Sequence, residues 1–137
     1  MQVRMPKLAP WVAALWWGSL TTVGFGVVPM LFANLPTPAI AGNMAAKLFA
    51  AQTWVAVVCG LLLLLACRSN MPLAQVSKAQ SALVYIVGGM LLALLSQYGV
   101  APHIVARDNL ALWHSVGTGL YVLQWLCAGV VFKKLLV

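Results

Sequence analysis

Acid is what this chain lacks. Asp108 is the one carboxylate side chain in 137 residues, and there is no glutamate. A single carboxylate excludes paired-carboxylate hydrolysis within one chain. Charged residues of both signs make up 7%, where a soluble domain carries about a quarter. Too few charges remain to cover a water-facing surface, so much of the surface faces something else. Cys59, Cys67 and Cys127 form no CxxC and no metal-ligand spacing. They read as small buried hydrophobes. No serine sits in a nucleophile elbow. His114 and Ser115 are adjacent, so on a helix their side chains diverge by about 100° and cannot pair as base and nucleophile. These absences point away from an enzyme. No soluble domain, low-complexity tail or internal repeat is evident.

What is present is apolar. The hydrophobic fraction is 64% and the mean hydropathy +0.99. The apolar residues come in runs, each close to the roughly 20 needed to cross a bilayer. The net charge is +7, yet the basic residues form no stripe. They flank apolar runs, where lipid headgroups and the positive-inside rule account for them. Membrane lipids, not nucleic acid, are the expected partners. The first run extends from Ala9 to Phe32, longer than the roughly 7–15 residues of a signal-peptide core. Ala39-Ile40-Ala41 imitates a cleavage site but is crowded by Pro36 and Pro38. The run reads as an uncleaved transmembrane helix.

The pattern predicts an all-α integral membrane protein, a single domain over residues 1–137 built as an antiparallel four-helix bundle. Helices are predicted at about 9–32, 43–67, 81–101 and 109–132. Trp11 suits the interfacial aromatic belt. Gly18, Gly24 and Gly26 offer small surfaces for a neighbouring helix. Pro29 is expected to kink or end the first helix. Loops are expected over Ala33–Gly42, Arg68–Gln80 and His103–Asp108, with Pro102 stopping the third helix and Asn109 capping the fourth. Leu61–Leu65 is the most lipid-like run. Arg4, Lys7, Arg68, Lys78, Lys133 and Lys134 fall on the side of the termini, against Lys47 and Arg107 opposite. That bias predicts cytoplasmic termini in an inner (plasma) membrane.

Polar residues inside a membrane are costly, so their placement is informative. Gln52, Thr53, Ser96, Gln97, Tyr98, His114, Ser115 and Thr118 all fall in the outer half of this threading. His114, Thr118, Tyr121 and Trp125 recur at helical spacing and are predicted to share one face. One reading is a pocket lined by His114, Gln97, Gln52, Thr118 and Tyr121, with Arg107 above it. The other is interhelical fastening, worth about 0.6–2 kcal/mol per bond. A soft-metal variant of the pocket uses His114, His103, Met30 and Met44, since imidazole and thioether suit copper and a His/Met pair suits haem. Arg107 and Asp108 read as an interfacial pair. With no ionisable group below His114, a proton relay is not expected.

Trp17-Gly18-Ser19, then Pro29 with Leu31-Phe32, Leu35-Pro36, Ala41-Gly42 and Lys47-Leu48-Phe49 resemble the bacterial family catalogued as domain of unknown function 4149. Ala101-Pro102, Arg107, Leu112, His114 and Ser115 extend the resemblance, from about Trp11 to Phe132. That family is similar to vertebrate transmembrane protein 205. It offers a phenylalanine shortly before the histidine, where this chain has Leu110 and Trp113. The resemblance implies a four-helix membrane protein without a defined reaction. It also implies a distant likeness to copper-resistance and haem-associated membrane folds. Two functions therefore stand open: a structural or assembly partner, self-associated or in a larger complex, and a binder or transporter of copper, haem or lipid.

Overall fold

The computed structural model describes residues 8–67 and 73–136, with side chains described for 8–67 and 80–136. Helix α1 is Ala9–Asn34, α2 is Pro38–Cys67, α3 covers 73–105 and α4 is Leu110–Leu136. Each contains a stretch long and apolar enough to cross a membrane, and no strand occurs among the described residues. Helix α1 packs on α2 and α4, and α3 packs on the same two. The result is an up-down-up-down ring in which α1 and α3 lie on one diagonal. The start of α1 and the end of α4 share one end of the bundle, since Trp17 stacks on Phe132.

The helices are longer than their sequence signals suggest, and each extension has a local cause. Pro10 occupies the first turn of α1, where its missing N–H costs nothing. Helix α2 begins at Pro38, not Asn43, because Thr37 caps it. Its hydroxyl accepts the Ile40 N–H at 3.3 Å and its carbonyl accepts the Ala41 N–H at 3.1 Å. The predicted loop from Ala33 to Gly42 thus shrinks to residues 35–37. Helix α3 begins by Leu73, inside the predicted Arg68–Gln80 loop. The predicted loop positions 68–72 and the side chains of Arg4, Lys7, Arg68 and Lys78 lie outside the described residues.

Neither interior proline ends its helix. Pro29 lies two residues beyond a π-helical turn, Val23–Val27, and Pro102 two residues beyond another, Ser96–Val100. In these turns the Val28 N–H bonds back to the Val23 carbonyl and the Ala101 N–H to the Ser96 carbonyl. A proline ring collides with the carbonyl four residues earlier in a regular α-helix. Widening the preceding turn by one residue moves that carbonyl aside, so the helix continues. Helix α3 stops instead at Val105, in a Schellman motif. The Asp108 N–H bonds to the His103 carbonyl at 3.0 Å and the Arg107 N–H to the Ile104 carbonyl at 3.1 Å. The left-handed position that favours glycine there is filled by Arg107, at φ 58°. Asn109 also has a positive φ, 36°, and contributes its backbone carbonyl, not a side-chain cap, to the Trp113 N–H.

The two hairpins repeat one another, which the sequence pattern did not make evident. Phe25-Gly26-Val27-Val28-Pro29 in α1 recurs as Tyr98-Gly99-Val100-Ala101-Pro102 in α3, and the two π turns coincide in this register. Leu48-Phe49 and Gln52, Ala56 and Val58 in α2 recur as Leu120-Tyr121, Gln124, Ala128 and Val130 in α4. Burial follows the same register. Ala9 and Ala82, Ala13 and Ile86, Trp16 and Gly89, and Leu20 and Ala93 are all buried. So are Gln52 and Gln124, Ala56 and Ala128, and Cys59 and Val131.

Equivalent positions meet at the centre with opposite sizes. A carbon added at Gly89 would sit 2.6 Å from Trp16 Cη2, so Gly89 is the socket for its own counterpart. The flanking equivalents also differ in size, Ala13 against Ile86 and Leu20 against Ala93 in sequence register, and all four are buried. This core fills the half of the bundle nearer the termini, where Trp16, Leu20, Leu63, Ile86 and Val131 are fully buried. From Val23 outward α1 buries no residue at all. The helices are less tightly covered toward the two hairpin turns.

Candidate functional site

Polar side chains converge on α1, just before its π turn. Gln52 on α2 is 5% exposed, and its amide donates to the Ser19 hydroxyl at 2.9 Å. Ser19 passes the bond to the Trp16 carbonyl at 2.8 Å. From α4, the Tyr121 hydroxyl donates to the Leu20 carbonyl. One turn away, the Trp125 indole N–H donates to Thr21 Oγ1 at 2.8 Å, and Thr21 donates in turn to the Trp17 carbonyl at 2.8 Å. Helix α1 is therefore the hub that ties α2 and α4 together.

Aromatic rings reinforce the α1–α4 side. Trp125 stacks on Trp17 with centroids 6.0 Å apart, and Trp17 on Phe132 at 5.9 Å. Phe25 meets Trp125 edge-on at 5.4 Å. Phe49 meets Tyr121 in the same way at 5.4 Å, joining equivalent positions of the two hairpins. Glycine permits this closeness at Gly24, where any side chain would fall on the Tyr121 ring. Gly18 and Gly26, expected to serve neighbours in the same way, have nothing within 4 Å.

The predicted stripe on α4 divides. Tyr121 and Trp125 turn onto α1, while His114 and Thr118 are exposed. Beyond its π turn α1 packs on α2 and buries none of its own residues, so this end of α4 is left open. Thr118 bonds only to the His114 carbonyl of its own helix, at 2.8 Å. Gln52 is committed to Ser19, Gln97 is half-buried on the π turn of α3, and Arg107 is exposed on the second hairpin turn. These residues are distributed among three environments.

The soft-metal group fares similarly. His103 lies flat on Trp113, with centroids 4.0 Å apart and 5° between planes, and its Nδ1 is 3.8 Å from an Asp108 carboxylate oxygen. Trp113 therefore packs on His103, across the turn, and not on the adjacent His114. Met30 is 63% exposed and Met44 46%. Among the described residues no three His, Cys, Asp or Glu side chains gather to hold a metal ion. The three cysteines are free thiols, with Cys59 buried.

Sequence reasoning missed Ser19 and Thr21 as acceptors and Trp16 as the central wedge. The recurrent Leu-aromatic-x-x-Gln unit was the signal that marks the two buried glutamines as equivalents.

The profile of domain of unknown function 4149 matches residues 11–111. The chain belongs to this family. The match takes in α1, α2, α3 and the first residues of α4, so both proline-bearing π turns of this DUF4149 protein lie inside it. No curated protein and no solved structure matches the chain.

Proposed function

We propose that this DUF4149 protein is a non-enzymatic accessory or assembly partner in the inner membrane, with both termini cytoplasmic. The observation that carries this reading is the use made of its intramembrane polar groups. Gln52, Ser19, Thr21, Tyr121 and Trp125 are consumed in fastening α2 and α4 to α1. The helices also present small residues outward. Gly18, Thr22 and Gly26 follow one another a turn apart on α1, and a carbon added at either glycine would meet nothing within 4 Å. Such faces admit close approach of another helix, from a second copy or a different subunit.

Native mass spectrometry of the protein released from its own membranes with minimal detergent tests the reading. Expected are multiples of the chain or a complex with a second polypeptide. A lone subunit carrying stoichiometric copper or haem, lost in His114→Ala, would replace it with the outer-layer binding reading. With an assembly role, His114→Ala leaves the melting temperature and the complex unchanged, because that side chain is exposed.

A further inference from the structure

Among the described residues, three buried polar atoms have no hydrogen-bonding partner: the Gln124 Nε2 amide, the Trp16 indole Nε1 and the Ser96 hydroxyl. Gln124 is 3% exposed and Trp16 is fully buried. Gln124 and Trp16 belong to one region, and Ser96 lies two turns along α3 from Gly89. The Trp16 ring approaches Gly89 through Cη2 and Cζ2, and the same point at Gly89 is 3.5 Å from Cys127 Cβ. The indole therefore wedges between α3 and α4, with Nε1 on the edge of the ring that carries Cζ2. Gln124 lies one turn before Cys127 on α4 and shares the buried face of Ala128 and Val131. On α3, Gly89, Ala93 and Ser96 follow at helical spacing and line one face.

The repeat shows what is missing. In the first hairpin Gln52 donates to Ser19. In the second, the glutamine is present as Gln124, but Leu92 stands at the position equivalent to Ser19. Gln124 Nε2 and Trp16 Nε1 are both donors and cannot satisfy one another. Ser96 either donates or accepts. Their shared need is an acceptor oxygen, and a donor left unpaired at membrane depth is costly.

We propose that the Gln124 amide and the Trp16 indole form a buried binding site beside α3 and α4 for one hydrogen-bond-accepting oxygen, supplied by a water molecule or by the carbonyl of a small lipophilic compound. The site uses the Trp16 indole, whereas the fastening around α1 uses the Trp16 carbonyl. It stands whether or not the protein is an assembly partner.

The wild-type protein is extracted from its own membranes in minimal detergent for native mass spectrometry. The same protein, labelled with indole-15N tryptophan, is studied by NMR, with Trp16→Phe assigning the resonance. A stoichiometric small-molecule adduct that Gln124→Leu loses identifies the lipophilic carbonyl source. No adduct, with cross-relaxation between the Trp16 indole proton and a bound water, identifies water. In both cases Gln124→Leu, similar in volume, lowers the melting temperature by about 5 °C. Absence of both signals overturns the proposal, as does a Gln124→Leu protein that melts at or above wild type. In that case the amide is only a desolvated packing group. If Gln124→Leu does not accumulate, Gln124→Met replaces it and the wild-type spectra decide.

Discussion

The first hairpin and the second have the same framework and are finished differently. Both have an aromatic-Gly-Val-x-Pro unit behind a π turn, and both bury a glutamine on the following helix. In the first, Ser19 and Thr21 accept bonds from Gln52 and Trp125. In the second, the corresponding stretch of α3 is leucine-rich, from Leu91 to Leu95. The core alternates in the same way, with Trp16 in one half and Gly89 in the other. Two identical hairpins would place tryptophan against tryptophan, or glycine against glycine, at the centre. The first overfills the space and the second leaves a void. Divergence of the halves is what lets the centre close.

The largest effect on this comparison comes from its central pair. Trp16→Gly removes the wedge and is expected to cost about 3 kcal/mol, read by reversible unfolding in SDS-containing mixed micelles. Transposing the pair, as Trp16→Gly with Gly89→Trp, is expected to recover part of that loss. A double variant no better than Trp16→Gly would show that the halves are not interchangeable at their axis.

Next come two glycines that look alike and are not. Gly89→Ala pushes a methyl against the rigid Trp16 ring and is expected to cost about 2 kcal/mol. Gly60→Ala meets only the flexible Met90 side chain and is expected to cost under about 0.5 kcal/mol by the same assay. Equal losses would mean that ring rigidity does not set the cost. Smaller again is Tyr121→Phe, which removes the α4 bond to the Leu20 carbonyl but keeps the ring on Gly24. About 1 kcal/mol is expected. A loss below measurement would locate the α1–α4 attachment in the aromatic stack alone.

The smallest effect lies in the turns. The first hairpin turn uses Thr37 and Pro38, with no left-handed residue, whereas the second puts Arg107 at φ 58°. Arg107→Gly relieves that strain and is expected to raise stability by about 0.5 kcal/mol, read as a small rise in melting temperature. A fall would show that the guanidinium makes a contribution exceeding the strain.

Much of the fold was legible because it depends on composition and length. Runs such as Leu61–Leu65 announce a lipid-facing helix, and Leu61, Leu62 and Leu65 are indeed exposed while Leu63 is buried. The helix ends were less legible. Pro38 looks like a breaker until Thr37 is seen to cap it, and Pro102 looks like a stop until the π turn before it is known. Of the polar layer, Gln52 is buried and Tyr121 turns onto α1. His114 and Thr118 were placed on the same stripe, but helical spacing reports azimuth and not whether a neighbour is present at that depth.

The near-absence of acid and the four apolar runs by themselves determined that this chain is a multi-pass helical membrane protein, because water cannot solvate such a surface. The repeated aromatic-Gly-Val-x-Pro and Leu-aromatic-x-x-Gln units were also in the sequence, but their sense was not. Only the tertiary structure decided which glutamine has a partner, which glycine receives a ring and which histidine stacks. Those outcomes depend on what the facing helix offers at the same depth, and a single chain read in order carries no depth coordinate.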